Sequence, residues 1–262
     1  MDGSEAGIAE VGIAEVGIAE VGIAEVGIAE VGIAEVGIAH IGNMVIMYIG
    51  NTHVGGPAQI RKLPKLTISK ISVGSLNNNS YLLRCTNTGT QVLIDAAAEP
   101  DRLLTLIGSG ELMGVLTTHG HRDHWGALAE VTSATGAKTY APNADVTMIS
   151  VSTDHALGQG STVTFGDVSV QVVTTGGHTP GASMFIYEDP FGHSHLFSGD
   201  CLFPGGLGRT TSEEAFDSLY RGVVEKAFDQ LKDNTWVYPG HGFDTTLGHE
   251  RPHLERWWER RW

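Results

Sequence analysis

A chain of 262 residues with 41% hydrophobic content has enough apolar material for one large domain or two small ones. The formal net charge of −14 argues against nucleic acid or an anionic membrane surface as a partner. Much of that charge is local. Eight of the 30 acids fall in residues 1–43 and the first base is Arg61, so the remainder carries 22 acids against 16 bases, a net −6 ordinary for a soluble enzyme. Two cysteines, Cys85 and Cys201, are too few for a disulfide framework and fit a reducing compartment. The amino terminus lacks a basic segment followed by an uninterrupted apolar one, so a secretory signal is not expected and the cytoplasm is the expected location.

Residues 7–36 are six copies of Gly-Ile-Ala-Glu-Val, followed by a degenerate unit through Ile41. A period of five matches neither the 3.6 of a helix nor the two of a strand, and a glycine per unit weakens a helix further. The tract faintly resembles pentapeptide-repeat solenoids but would make under two coils, and solenoids need several stacked units. A glutamate in every unit rules it out as a membrane span. Residues 1–43 are therefore expected to be a disordered low-complexity appendage, a duplicated tract ahead of the real start at Met44 or Met47. Residues 44–262 are expected to be the working domain.

Residues 51–65 read as an irregular lead-in. Leu66 to Val73 alternates apolar and polar residues, as a half-buried strand does. Strands follow at Tyr81–Cys85 and Gln91–Ile94. Asp95 closes the latter, either as a turn residue or as a support for a neighbouring loop. Pro100 opens a helix that continues through Ile107. The apolar run from Leu112 leads into Thr118-His119-Gly120-His121-Arg122-Asp123-His124, with a helix-prone stretch at Ala127–Ala134 behind it. Three imidazoles and a carboxylate within six positions, on a loop at a strand end, form a candidate site for zinc, iron or manganese.

A second half repeats the order. A short strand at Lys138–Tyr140 and a short helix at Ala144–Ile149 precede strands at Ser161–Phe165, Val168–Thr174, Ser183–Tyr187 and His195–Phe197. A helix is predicted over Ser212–Leu231, with Thr211 as cap and Glu214 three residues on. A last strand covers Thr235–Tyr238. Two mixed sheets with helices outside each is the economical packing, an α+β sandwich. Three strand-end loops carry more metal-binding residue types: Gly177-His178-Thr179, Gly199-Asp200-Cys201 and Gly240-His241-Gly242. Glycines beside these donors let the backbone turn while a side chain reaches inward.

This series of motifs, over roughly residues 66–245, resembles the metallo-β-lactamase superfamily, and its glyoxalase II-type hydrolase branch in particular. The resemblance implies an αββα fold and two divalent metal ions, zinc first and iron or manganese next. It also implies that His119, His121 and His178 hold one ion, that Asp123, His124 and His241 hold the other, and that Asp200 bridges them. β-Lactamases of this fold usually carry cysteine or serine at the Asp200 position, whereas its thioesterases and lactonases carry aspartate. Arg209, in the segment Leu202–Arg209, matches a basic residue that meets the substrate carboxylate; an exposed, uninvolved arginine is the other reading. Glyoxalase II proper has a helical glutathione-gripping domain after the last histidine, where this sequence has 21 residues.

The activity implied is hydrolysis of a small thioester or other activated ester by a metal-bridging hydroxide, with Asp123 and Asp200 as ligands that also orient the nucleophile. A small-molecule acyl substrate is the expected partner, and neither nucleic acid nor membrane. The alternatives are a lactonase, a mononuclear-iron persulfide dioxygenase on the same loops, and a non-catalytic metal-stabilised binding protein. Cys201 is expected to be packing rather than a nucleophile.

Overall fold

The computed structural model describes residues 38–41 and 44–261, with side chains from Tyr48 onward. The chain divides into two compact units, residues 1–47 and 48–262. In the first, β1 (Ile38–Ile41) pairs antiparallel with β2 (Met44–Met47), and the boundary expected at residue 43 lies outside the described residues. The pentapeptide repeat, and with it the expectation of disorder before Ile38, lies outside the described residues.

The second unit is four layers. Its first sheet holds β3 (Gln59–Lys62), β4 (Leu66–Val73), β5 (Asn78–Cys85), β6 (Gln91–Ile94), β7 (Leu112–Leu116), β8 (Lys138–Pro142) and β9 (His155–Leu157), side by side in that order. The strands are antiparallel from β3 to β6 and parallel from β6 to β9. Parallel neighbours need crossovers, and α1 (Pro100–Ile107), α2 (Leu128–Thr135) and a 3-10 segment over Asn143–Met148 supply them. The second sheet runs β10 (Thr162–Phe165), β11 (Val168–Thr174), β12 (Ser183–Glu188), β13 (Ser194–Gly199), β16 (Trp236–Pro239) and β17 (Thr245–Thr246). Between β13 and β16 lie a small hairpin, β14 (Leu202–Phe203) with β15 (Gly206–Leu207), and helix α3 (Glu213–Val223). The chain ends in α4 (Leu247–Glu250) and α5 (Leu254–Arg260).

Three apolar clusters explain the layering. Ile68, Leu83, Val92, Leu116, Val170, Phe185 and Phe197 belong to the one between the sheets. Val115, Leu103, Leu128 and Val131 join the first sheet to α1 and α2. Met184, Leu196, Leu219, Val223 and Trp257 join the second to α3 and α5. The αββα sandwich expected from the sequence is therefore the fold. No helix among the described residues is long and apolar enough to cross a membrane.

Three local expectations are corrected. β4 is buried on both faces, not one, because its polar residues are satisfied inside the protein. Lys70 Nζ donates to Gly50 O at 2.7 Å, Gly242 O at 2.7 Å and Asp244 Oδ1 at 2.6 Å, and Ser72 Oγ donates to Asn79 Oδ1 at 3.0 Å. The lead-in contains β3, and its Arg61 guanidinium stacks on the Trp236 ring at 3.8 Å and the Tyr48 ring at 4.5 Å. The cap of α3 is Ser212, whose Oγ accepts from Ala215 N, and not Thr211; the helix passes into a π turn over Val224–Phe228.

Candidate metal centre

The loops that matter leave the same edge of the sandwich, at the carboxyl ends of β6, β7, β11, β13 and β16. Five strands from two sheets thereby aim short side chains at one point. His119, His121 and His178 place one ligand atom each within 4.8 Å of one another, as do His119, His124 and Asp200, and as do Asp123, His124 and His241. The structure thus brings together all seven donors read from the sequence. His119 Nε2 and His121 Nδ1 stand 3.0 Å apart. Asp200 sits between the halves: its Oδ1 is 3.4 Å from His124 Nε2, and its Oδ2 is 3.5 Å from both His178 Nε2 and His241 Nε2.

Supporting groups decide which nitrogen of each ring faces inward. Asp95, in left-handed backbone at φ 57°, accepts from His124 Nδ1 at 2.7 Å and from Thr118 N and Oγ1 at 2.8 Å each. His178 Nδ1 donates to Arg209 O at 2.7 Å, and His241 Nδ1 to Leu76 O at 3.0 Å. In each ring Nε2 is then the nitrogen left with a lone pair for a cation. Asn78 Nδ2 donates to Asp123 Oδ2 at 2.9 Å and so orients that carboxylate. Asp145, fully buried, accepts from Gly120 N at 2.7 Å, Gly181 N at 2.6 Å and Thr179 Oγ1 at 2.5 Å. One carboxylate thereby clamps the His119–His121 loop to the His178 loop. A Cβ at Gly240 would collide with Asp200 Oδ1 and His124 Cε1, so only glycine lets the β16 loop pass the cluster.

The residues fit a metal. His124 Nε2, His178 Nε2 and Asp200 Oδ1 are buried without a hydrogen-bond partner, a costly state for polar atoms that point at one another. Electrostatics agree. Burial opposes charge on His124, yet Asp200 and Asp95 outweigh it and raise its pKa well above the usual imidazole value. His241 is likewise opposed by burial and raised to about 9 by hydrogen bonds to Asp123 and Asp200. Burial pushes Asp200 up, but the positive charge on His124 holds it well below the usual carboxylate range. His119, dominated by burial, is lowered instead. The two carboxylates, Asp123 and Asp200, thus favour positive charge among these rings, which is what a bound cation would supply. Imidazole and carboxylate together suit zinc, iron or manganese.

Arg209 contributes something the sequence did not signal. Its carbonyl orients His178, while its side chain is exposed and makes no hydrogen bond or ion pair among the described residues. Asp145 and Asn78 were also missed. The signal available for Asp145 was its position, an acid just beyond β8, matching Asp95 just beyond β6. Cys201 is buried, bonded to Thr175 Oγ1 at 3.2 Å and pushed up to about 12 by burial, as packing requires and a nucleophile does not.

Comparison with known proteins agrees with this geometry. The family model of the metallo-beta-lactamase superfamily matches residues 73–241. A hydroxyacylglutathione hydrolase of Fuscovulum blasticum is 34% identical over 68% of this chain and 68% of its own. A solved structure, TTHA1623 in a di-iron-bound form, is 32% identical with a TM-score of 0.57, covering 70% of this chain and 96% of that one. ETHE1 from Myxococcus xanthus is 27% identical with a TM-score of 0.63, over 72% and 84%. Fold, donor cluster and relatives coincide, and the chain belongs to the metallo-β-lactamase superfamily as a glyoxalase II-like member.

Proposed function

We propose that the protein is a dinuclear metal-dependent hydrolase of small thioesters or related activated esters. The observation that supports this most is Asp200, one carboxylate within 3.4–3.5 Å of imidazoles on both sides of the cluster. His119, His121 and His178 would hold one ion and Asp123, His124 and His241 the other, with Asp200 shared. Two divalent ions in such a site, zinc first among the candidates, activate a water at neutral pH and polarise an acyl carbonyl.

The chain's own groups do the rest. Asp123 and Asp200 are the carboxylates able to accept a hydrogen bond from the attacking water and so orient it. Asp95, Leu76 O and Arg209 O keep three imidazoles in the tautomer that leaves Nε2 available. A thiolate departs without protonation, so no further acid is needed beside the cluster. The exposed Arg209 side chain, on the residue whose carbonyl anchors His178, would meet an anionic group on the substrate.

The test is a panel of acyl thioesters and lactones, with oxygen consumption followed in parallel. Chelator-sensitive thioester hydrolysis without oxygen uptake supports the proposal. Oxygen uptake with a persulfide substrate and no thioester turnover would replace it with the mononuclear-iron dioxygenase, and preferential lactone opening with the lactonase.

A further inference from the structure

Beside the donor cluster lies a surface cleft of about 540 Å³, lined by the apolar Leu76, Ala97, Ala98, Pro100 and Ala127 together with Gly126 and the charged Glu99 and Arg122. Asp123 lines it as well, so the cleft begins where the proposed second ion would sit. Leu76 joins the same two features: its carbonyl orients His241, and its side chain is 61% exposed above the cleft. Phe243, two residues beyond His241, is 58% exposed, and the Phe203 ring lies 6.3 Å from the His241 ring. Large apolar side chains left in water around a polar catalytic cluster mark a surface that an apolar part of a ligand covers.

Polarity is distributed unevenly around the centre. Arg209, whose carbonyl anchors His178, is exposed, while the cleft beside Asp123 is lined mostly by apolar side chains, with Arg122 and Glu99 among them. A substrate whose carbonyl is at the cluster therefore extends both ways. Its larger, charged carrier suits the open Arg209 side, and its acyl chain suits the short apolar cleft.

Resting on the thioesterase reading above, we propose that this cleft is an acyl-chain subsite and that the preferred substrates are thioesters of unbranched apolar acids of about four to six carbons, in preference to acetyl or hydroxyacetyl groups. Each methylene placed in the cleft leaves water, which corresponds to about fourfold in affinity.

The experiment has two arms on the metal-loaded full chain. The first measures KM for acetyl, butanoyl and hexanoyl thioesters of one thiol. The second measures binding of acetate, butanoate and hexanoate by calorimetry, and reads the cleft even if no thioester is turned over. KM and Kd should both fall by about fourfold per methylene. Leu76→Ser, at an exposed position that preserves the backbone carbonyl, should flatten both trends, as should Ala98→Gln, which places an amide at the wall. Absence of turnover with a steep carboxylate series would overturn the thioesterase reading and keep the cleft. Flat series in both arms, or a steep series unchanged in Leu76→Ser and Ala98→Gln, would overturn the cleft.

Discussion

At the scale of single residues, the donors stand on second groups: Asp95, offered by the sequence as a loop support, holds His124, and Asp145 ties the His119–His121 loop to the His178 loop. His119, His121, Asp123, His124, His178, Asp200 and His241 are scarce residue types concentrated at strand ends, so sequence alone marks them. Asp145 bonds Gly181, 36 positions away, and the carbonyls of Leu76 and Arg209 have no side-chain signature at all. Asp145→Asn should be damaging because one of its oxygens becomes an amide facing buried N–H donors. The expected effect is a loss of about 1–3 kcal/mol in stability and a 10- to 100-fold weaker affinity for the first ion, read by competition with a chromophoric chelator. Unchanged zinc affinity in a folded Asp145→Asn protein would show that the clamp does not hold the site. Arg209→Ala should raise KM for anionic thioesters several-fold, about 1 kcal/mol for an exposed pair, and leave kcat and neutral substrates nearly unchanged. Equal effects on neutral and anionic substrates would place the cation outside the substrate path.

At the scale of elements, apolar periodicity located most strands of both sheets and α1 to within a few residues. It misjudged β4, since a strand between two covered faces can carry buried Ser69, Lys70 and Ser72 when partners are supplied from elsewhere. β3 was missed because four residues containing an arginine carry no strand pattern, yet Arg61 finds its environment on aromatic rings of the other sheet. The same long-range logic sets where the working unit begins. Tyr48 Oη donates to Asp244 Oδ2 at 2.6 Å, Trp236 Nε1 donates to the same oxygen at 2.9 Å, and Lys70 bonds Asp244 Oδ1. A truncation starting at Met47 should therefore keep its fold and metal content, whereas one starting at Leu63 should not, because it removes Tyr48, Gly50 O and β3. Soluble, metal-loaded protein from both would show that these contacts are dispensable. For α3, Ser212→Ala should cost about 1 kcal/mol in urea unfolding and Thr211→Ala close to nothing.

At the scale of the whole molecule, the sandwich buries groups that tie its stability to pH. His195 is fully buried in β13, and burial first, then the nearby His193 and Arg61, lowers its pKa from 6.5 to about 2. The folded protein keeps it neutral while the unfolded chain takes a proton below 6.5. Its stabilising neutral state is therefore fully present above that value and eroded as the pH falls towards 2. The slope is at most about 1.4 kcal/mol per pH unit for one group. His195→Phe should lose acid sensitivity by up to that slope between pH 6 and pH 4, measured by urea unfolding against the parent. Identical slopes would mean that other groups carry the dependence. Fold class was readable from the order of elements, because two βα-rich halves with apolar strands have few other ways to bury both sheets. The cleft beside Asp123 was not, since it depends on which loops meet at one edge.

The dinuclear assignment rests on Asp200 serving both halves of the cluster, and metal content tests it directly. Protein purified without chelators and reconstituted with zinc should hold two ions per chain. His178→Ala should retain one, and Asp200→Ala should hold neither tightly, with thioester hydrolysis lost in step. A single tightly held ion in the parent protein, or two ions and full turnover in Asp200→Ala, would contradict the account.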